Sequence, residues 1–382
     1  MSDNKFFEKN VLEYFHSDLI HHIEFDYYGT RLATASSDKT IIIWNRTKAG
    51  EWVKNSTIKC HAGAVWRVRW ANPEFGQIIA TCSFDGAISI LEQVSNEEYD
   101  YGPRKKVNQE TPANQWKCHR TLYEDKNNIS DIKFAPAHFG LVLISCNAKG
   151  RVRIYEACDI IRLDDWTKLR EFEVFDGYRC AALAISDSRL YSPLLCVVSD
   201  EETLVAKQQN SAERLNRFAM YQYLEKQRTW IGVTSMDYDV KNIYDNPCNI
   251  DKPIFDCAFA PSAGRAFHQL AVTVDHEIWI YHFTENLKKK SEMECSVDQT
   301  DSKAVEAETD TFYYNSHRAY ILTTNLQTMV KRISFNMTGN LLTAVCYNQK
   351  IFTYQSSFIP LDEDIVDDTN SMYVEWKLVE ER

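Results

Sequence analysis

The sequence predicts an all-β fold, a six-bladed β-propeller, and two observations support this prediction. A short pattern of apolar residues recurs six times along the chain of 382 residues. Each copy reads as a strand, a turn and a second strand, followed by a third strand. A meander this small cannot bury its own faces, so the copies must stack on one another. Stacked meanders of short strands are typical of a propeller.

The first strand of each copy is defined by apolar residues at offsets of four, seven and nine positions from a common origin. In the second copy the origin is His61, and the offsets fall on Val65, Val68 and Trp70. The origin of the first copy is also a histidine, His16. The other copies carry these residues at the three offsets: Ile20, Ile23 and Phe25; Ile129, Ile132 and Phe134; Cys180, Leu183 and Ile185; Ile254, Cys257 and Phe259; Val330, Ile333 and Phe335.

Two further strands follow in each copy. The second strands are predicted at residues 32–36, 78–83, 141–146, 194–199, 270–274 and 341–346. The third strands end in large apolar or aromatic residues and are predicted at 41–44, 88–91, 152–155, 218–223, 278–281 and 351–354. The predicted blades therefore span about 16–60, 61–118, 119–175, 176–250, 251–315 and 316–382. This repeat is typical of a WD40-type propeller.

Outside the repeated strands, the sequence predicts a polar insertion and one further strand segment at each end of the six copies. Residues 286–311 are dominated by charged and hydroxyl side chains and are predicted to be a disordered insertion. Residues 371–379 alternate apolar and polar side chains and are predicted to be the outer strand of the sixth blade. Residues 6–15 are also apolar enough for a strand. If the sixth blade already has four strands, this segment is left over and the ring need not be closed.

Histidine, serine and aspartate occur together in the first two copies, which raises the question of a catalytic trio. In the first copy, the residues at the positions of the hydrogen-bonded tetrad of WD-type blades are His16, Ser36, Asp38 and Trp44. The second copy keeps His61, Ser83 and Asp85 but has Leu91 in place of the tryptophan. A catalytic trio is not expected to be partly repeated and then lost along the chain, so we favour a structural tetrad and no enzymatic activity. A propeller hydrolase that uses Ser83 and His61 is the alternative.

Composition disfavours several other functions. The formal net charge of −11 and the absence of a long basic stripe argue against direct nucleic-acid binding. No run of about 18 apolar residues and no N-terminal apolar signal core is present, so neither membrane insertion nor secretion is expected. The eleven cysteines lie mostly singly on apolar strands, as expected for buried thiols in a reducing compartment.

A metal site is also disfavoured. The chain contains two Cys-His pairs, Cys60-His61 and Cys118-His119. Neighbouring side chains on a strand point to opposite faces, so such a pair does not readily present both ligands to one ion. Neither a metal nor any other cofactor is predicted.

Residues 61–86 resemble the second blade of the Sec-thirteen family, the propellers shared by the COPII vesicle coat and the nuclear pore. The resemblance rests on a histidine that leads into Val65-Trp66-Arg67-Val68, then on residues 73–77 (Pro-Glu-Phe-Gly-Gln) and 82–85 (Cys-Ser-Phe-Asp). Residues 133–136, 152–157, 255–261 and 264–268 are similar to the nucleoporin branch of that family rather than to its coat subunit.

The resemblance implies a non-enzymatic scaffold subunit of the Y-shaped complex of the nuclear pore at the nuclear envelope. Relatives form an open six-bladed propeller, and an α-solenoid nucleoporin donates a seventh blade from its own chain. Other Y-complex nucleoporins are implied as neighbours. A second role is implied in the GATOR complex of TOR amino-acid signalling at the lysosomal membrane surface, and part of the protein is expected at kinetochores. The alternative within the family is the COPII coat subunit.

Blade donation is a form of β-augmentation, in which an open sheet edge is matched by another chain. Backbone bonds alone bind weakly, so we expect apolar contacts at both ends of the repeat array. The candidate contact residues on the first-blade side are Phe7, Val11, Tyr14 and Ile20. The candidates on the sixth-blade side are Val330, Phe352, Val374 and Trp376.

Overall fold

A computed structural model describes residues 12–94, 115–123, 127–175, 177–201, 217–224, 228–233, 250, 252–262, 264–285, 314–324, 328–358 and 374–381. Within these residues the secondary structure is twenty-four strands and two short 3₁₀ turns, Pro73–Phe75 and Ala137–Phe139. No helix in this part of the chain is long and apolar enough to cross a membrane. The strands form six antiparallel sheets of four, each ordered as along the chain. The prediction of an all-β propeller fold with six blades is confirmed.

The first compact unit, Met1–Phe172, contains the first three blades. The first blade consists of β1 (Ile20–Phe25), β2 (Arg31–Ser36), β3 (Ile41–Arg46) and β4 (Trp52–Ile58). The second consists of β5 (Val65–Trp70), β6 (Ile78–Ser83), β7 (Ala87–Val94) and β8 (Gln115–Tyr123). The third consists of β9 (Ile129–Phe134), β10 (Val142–Asn147), β11 (Arg151–Ala157) and β12 (Trp166–Glu173), whose last residue is assigned to the second unit.

The second compact unit, Glu173–Arg382, contains the other three blades. The fourth blade consists of β13 (Ala182–Ile185), β14 (Leu194–Val198), β15 (Phe218–Leu224) and β16 (Thr229–Val233). The fifth consists of β17 (Cys257–Phe259), β18 (His268–Val274), β19 (Glu277–Glu285) and β20 (Tyr314–Thr323). The sixth consists of β21 (Val330–Phe335), β22 (Leu341–Cys346), β23 (Ile351–Phe358) and β24 (Val374–Glu381).

Neighbouring blades within each unit pack through apolar side chains from facing sheets. Between the first and second blades, Ala33 and Ala35 of β2 share a core with Val65 and Val68 of β5. Equivalent cores join the second blade to the third, the fourth to the fifth, and the fifth to the sixth. The second and fifth blades thus bury apolar side chains on both faces of their sheets, because successive side chains of a strand point to opposite sides.

The turn between the second and third strands has a recurring backbone conformation. In five blades it contains one residue with positive φ, namely Lys39, Gly86, Gly150, Asp275 and Gln349. Glycine adopts this left-handed region without steric cost, whereas other residues are disfavoured there. The recurrence shows that the repeat is preserved in backbone geometry even where its sequence pattern is weak, as in the sixth blade.

The predicted blade borders differ from the structure at two places. Residues 118 and 119 lie inside β8, which pairs with β7, and residues 315 and 316 lie inside β20, which pairs with β19. Both strands are outer strands that follow long insertions, so they carry no offset signal of their own. The predicted final strand is present as β24, paired with β23. Residues 12–15 are not in a strand, and residues 6–11 and the insertion at 286–311 lie outside the described residues.

Candidate functional site

The predicted tetrad of the first blade is a chain of buried hydrogen bonds that begins at His16. Nδ1 of His16 lies 2.9 Å from Oδ2 of Asp38, and Nε2 lies 2.9 Å from Oγ1 of Thr34. The indole Nε1 of Trp44 donates to the same Oγ1 at 3.1 Å. Because Asp38 accepts from Nδ1–H, Nε2 is left to accept from the Thr34 hydroxyl. This chain ties the segment before β1 to the turn after β2 and to β3.

The hydroxyl in this chain belongs to Thr34 and not to Ser36, which corrects the sequence-based assignment. Oγ of Ser36 instead donates to the carbonyl of Asp18 at 3.1 Å and accepts from the backbone N–H of Asp38 at 3.2 Å. Both hydroxyls lie on the same face of β2, but Thr34 is directly opposite Ile42, which is two residues from Trp44 and on the same face of β3. Ser36 is at the end of the strand, where it closes the turn.

The second blade repeats this arrangement with a shorter chain. Nε2 of His61 lies 2.8 Å from Oγ1 of Thr81, and Nδ1 lies 3.5 Å from Oδ2 of Asp85. Burial lowers the pKa of His61, although the Asp85 carboxylate acts in the opposite direction. The hydroxyl of Ser83 accepts from the backbone N–H of Asp85. His61 is thus directed at Thr81 rather than at Ser83, the serine of the hydrolase alternative.

The pKa of Asp38 makes the tetrad sensitive to acid. Burial alone would raise this pKa, but hydrogen bonds from Thr40, His16 and the backbone outweigh burial and lower it to about 2. A carboxylate with a lowered pKa stabilises the folded state above its unfolded pKa and loses that contribution as the pH falls through the folded value.

We therefore expect the stability advantage of the wild-type chain over Asp38→Asn to be full near neutral pH. The advantage should shrink as the pH falls from about 4 to about 2, because the folded carboxylate is protonated in that range. Urea denaturation of both chains across this pH range measures the difference. A difference that stays constant with pH would contradict the role assigned to the carboxylate.

The two Cys-His pairs have different surroundings. Cys60 lies beside Thr81, and burial raises the pKa of its thiol to about 11. His119 lies 2.9 Å from the carboxylate of Glu92, while Cys118 is exposed. Within the part of the chain that the structure describes, no three His, Cys, Asp or Glu side chains are arranged to hold a metal ion.

A buried charge network, consisting of Glu24, Arg67, Arg69 and Asp131, connects the first strands of three blades. Nε of Arg67 and NH2 of Arg69 lie 3.1 and 3.3 Å from Oδ1 of Asp131. NH1 of Arg69 lies 3.1 Å from Oε1 of Glu24, whose other oxygen accepts from the backbone N–H of Trp70. Burial opposes the charge of Arg69, but the two carboxylates outweigh burial and raise its pKa. The network thus links the first strands of three blades, β1, β5 and β9, through their side chains.

One face of the first blade is exposed although its pattern matches the buried cores. The blade-one face consists of Phe15, Ile20, Ile23 and Phe25. These residues lie on the same face of the sheet as the buried side chains of Leu32, Ile42 and Trp44, and the ring of Phe15 contacts that of Trp44. Ile20, Ile23 and Phe25 are 38%, 51% and 56% exposed, whereas Val65 and Val68 at equivalent positions of the second blade are 0% exposed. Contiguous exposed apolar surface of this kind marks an interaction site in a folded protein.

The sixth blade also has a partly exposed face. The blade-six face consists of Leu341, Thr343, Val345, Ile351 and Thr353, which the strand register places on one side of the sheet. Val345 and Ile351 are exposed, whereas Thr273 and Ile278 at the matching positions of the fifth blade are fully buried. This face therefore offers a second, smaller apolar surface.

Three predicted contact residues of the sixth blade lie on its other side, and this corrects the prediction. Val330, Phe352 and Trp376 are buried in the core between the fifth and sixth blades. In a strand, a shift of one position moves a side chain to the opposite face. The apolar residues of this blade that are exposed to a partner are therefore Val345 and Ile351 on the opposite face of the sheet, not Val330, Phe352 and Trp376.

The other predicted contact residues have mixed outcomes. Tyr14 and Ile20 are exposed. Phe7 and Val11 lie outside the described residues, and Val374 begins β24. Sequence reasoning also missed Thr34 and Thr81. Each stands two positions before the predicted serine, and alternation places both hydroxyls on one face, so the pattern does not distinguish them.

Comparison with known proteins agrees with this geometry. The family model described as "WD domain, G-beta repeat" matches residues 9–45 and 52–91, the first and second blades. Nucleoporin SEH1 of Xenopus tropicalis is 33% identical over 328 residues, which cover 86% of this chain and 79% of that protein.

Two other relatives match a shorter stretch. Nucleoporin SEH1 of Osmerus mordax is 36% identical over 257 residues, and that of Homo sapiens is 35% identical over 257 residues. These matches cover 67% of this chain and only 63% and 64% of the two relatives. The repeats, the six four-stranded blades and the identity across most of the chain together show that this protein belongs to the nucleoporin SEH1 family of WD40 propellers.

Proposed function

We propose that this protein is a structural scaffold subunit of the nuclear pore that binds an α-solenoid nucleoporin by accepting a β-blade from it. The observation that carries the proposal is the exposed blade-one face, since the residues at the positions of Ile20 and Ile23 are buried in the other five blades. The relatives are named nucleoporins, which supports a location at the pore. The nuclear envelope and the Y-shaped complex, with its other nucleoporins, are the proposed setting.

The chemistry of the two faces fits a β-blade better than a small ligand. On the blade-one face, the buried side chains of Leu32, Ile42 and Trp44 form an apolar cluster, and exposed apolar residues lie beside it on the first strand. The blade-six face has the same sheet character. A donated sheet would cover such surfaces as the second blade covers Ala33 and Ala35.

Apolar burial would supply most of the affinity. A backbone hydrogen bond contributes a net of only about 0.5–1.5 kcal/mol, whereas complete burial of a side chain such as Ile23 or Phe25 contributes roughly 1.5–3 kcal/mol. The partner should therefore carry apolar residues at alternate positions of its strands. This binding role needs no catalytic group, and the direction of His61 toward Thr81 supports a scaffold rather than a hydrolase.

Charged residues on the blade-one face should weaken partner binding without unfolding the chain. We expect Ile23→Asp and Phe25→Asp each to weaken capture of the α-solenoid nucleoporin by roughly tenfold or more, since each loses apolar burial and buries a charge. Because both positions are exposed in the free chain, its stability should change by less than about 0.5 kcal/mol. Affinity purification of tagged variants, followed by mass spectrometry and thermal unfolding, measures both effects.

A matched control is Leu169→Asp, since Leu169 is 53% exposed on the outer strand β12, away from the blade-one face. This control should capture the nucleoporin normally. Normal capture by Ile23→Asp and Phe25→Asp would contradict the proposed binding face. Failure of the wild-type chain to capture any nucleoporin would contradict the proposed function itself.

The same purification and a localisation experiment test the two related roles. Recovery of GATOR subunits would support a second role in TOR signalling at the lysosomal membrane surface. The alternative, a COPII coat subunit, is distinguished by fluorescent tagging. A pore scaffold should label the nuclear rim, with a fraction at kinetochores, whereas a coat subunit should label punctate endoplasmic-reticulum exit sites.

A further inference from the structure

The turn that joins β1 to β2 presents two tyrosines to solvent. Tyr27 and Tyr28 are 57% and 63% exposed, and their rings meet edge to face with centroids 5.3 Å apart. The corresponding turn of the second blade, between β5 and β6, carries Phe75, which packs against the core shared by the second and third blades. The first blade therefore leaves exposed the kind of side chain that the second blade packs.

These two turns meet at one end of the first and second blades, which both belong to the first compact unit. Between them lies a shallow groove, the two-tyrosine groove, whose lining includes Asp26, Tyr27, Tyr28, Trp70, Pro73 and Gln77. The lining is thus mainly aromatic, with one carboxylate and one amide among the rings.

Hydrogen bonds within each turn hold the groove in shape. Oδ1 of Asp26 accepts from the backbone N–H groups of Thr30 and Arg31 at 2.8 and 2.9 Å. In the opposite turn, Oδ1 of Asn72 accepts from the backbone N–H of Glu74 at 3.0 Å. A surface that is ordered before binding loses less conformational freedom when a ligand binds.

The charge of the groove is acidic. Asp26 is part of the lining, and Glu74 is exposed in the turn that forms one wall. Arg31 acts on Asp26 electrostatically, but its NH1 donates to the side-chain oxygens of Gln77 and Gln93. Within the described residues, neither carboxylate forms a direct ion pair with a cation. A basic residue of a ligand would therefore meet uncompensated negative charge here.

We propose that the two-tyrosine groove binds a proline-rich segment of another protein, in the polyproline II conformation and with a basic residue beside the prolines. Proline rings pack on aromatic side chains such as Tyr27, Tyr28 and Trp70. A polyproline helix is extended before it binds, so little ordering is needed and a shallow groove suffices. Its carbonyls have no internal hydrogen bonds, and the two phenol hydroxyls can donate to them.

The basic residue would pair with Asp26 or Glu74 in a charge-assisted hydrogen bond. The groove is formed by turns at the end of the blades, whereas the blade-one face is a side of the sheet. Binding at the groove therefore does not depend on the proposed function.

Fluorescence anisotropy with labelled synthetic peptides and the purified chain tests this binding. One probe is Ala-Pro-Pro-Leu-Pro-Pro-Arg-Ala, and a second carries the arginine before the prolines, because the position of the basic residue depends on the direction of the bound chain. We expect at least one probe to bind saturably. Replacement of its prolines by alanine should weaken binding by roughly tenfold, and replacement of its arginine by glutamate by roughly threefold or more.

Variants of the chain locate the site. Tyr28→Ala should weaken binding by roughly tenfold, since one aromatic contact is lost, and Glu74→Lys by roughly threefold or more. Matched controls are Tyr123→Ala, at the end of β8, and Asp164→Lys, between β11 and β12, since both residues are exposed outside the groove. The controls should bind as the wild-type chain does, and all four variants should keep its unfolding temperature because the altered side chains are exposed.

Each contrary result overturns a stated part of the proposal. If neither proline probe binds at concentrations up to about 1 mM, the groove is not a polyproline site. If the alanine peptide binds equally well, the groove accepts any apolar chain, and equal binding of the glutamate peptide removes the role of the two carboxylates. If Tyr28→Ala and Glu74→Lys bind as the controls do, the peptide binds elsewhere and the assignment of the groove is wrong.

Discussion

Replacement of Asp131 by asparagine should lower the free energy of unfolding by about 3–5 kcal/mol, the largest effect we expect from a single substitution. Asp131 is the carboxylate shared by Arg67 and Arg69, and both it and Arg67 are almost completely buried. Asparagine keeps the shape of the side chain but removes its charge. Two buried guanidinium groups then lose a counter-charge, and Arg69 retains only Glu24.

Urea denaturation of the purified chain measures this loss. The matched control is Glu375→Gln, which removes an exposed ion pair with Lys377 and should cost less than about 1 kcal/mol. A double-mutant cycle sharpens the test. Because Arg69 keeps one carboxylate in either Glu24→Gln or Asp131→Asn but neither in the double variant, the double should exceed the sum by about 0.5–3 kcal/mol. Additive losses would contradict the network.

Removal of the Thr34 hydroxyl by substitution with valine should cost about 2–4 kcal/mol, since it leaves two buried polar partners unsatisfied at roughly 1–3 kcal/mol each. These partners are Nε2 of His16 and Nε1 of Trp44. Valine preserves the volume of threonine, so the loss reports the hydrogen bonds rather than a cavity. Thr34→Ser keeps the hydroxyl and should recover most of the stability.

The second blade supplies the comparison for this prediction. Thr81→Val removes the contact with His61 but orphans no indole, because Leu91 stands where Trp44 stands in the first blade. Its loss should therefore be clearly smaller than that of Thr34→Val. Chemical denaturation of both variants, with the exchange rate of the Trp44 indole N–H as a local readout, measures the contrast. Equal losses would show that the indole bond contributes nothing.

The fold could be predicted from the sequence because its signals are local. Apolar offsets such as Val65, Val68 and Trp70 define a strand by alternation alone, and the turn after β6 is specified by Asp85 and Gly86. Six such copies define six blades. The borders near residues 118 and 315 were wrong because β8 and β20 follow long insertions, and outer strands are recognised by their pairing rather than by a repeated pattern.

The candidate sites were less predictable because they depend on which side chains meet. Alternation offered two hydroxyls, Thr34 and Ser36, on one face of β2, and only the distances to His16 distinguish them. For the sixth blade, the prediction selected Val330 and Phe352 from the buried face. The charge network around Asp131 gave no sequence signal, since its members come from three separate blades between Glu24 and Asp131.

The sequence by itself determined the number of blades, their strand order and the family, because strand alternation and turn chemistry act over a few neighbouring residues. It could not determine in which copies another sheet packs against the apolar face. Ile23 and Val68 occupy the same position of the same repeat, yet Ile23 is half exposed and Val68 is fully buried. Only the tertiary structure decides this difference, because burial depends on whether another sheet packs against the face, and the pattern within a repeat is the same in either case.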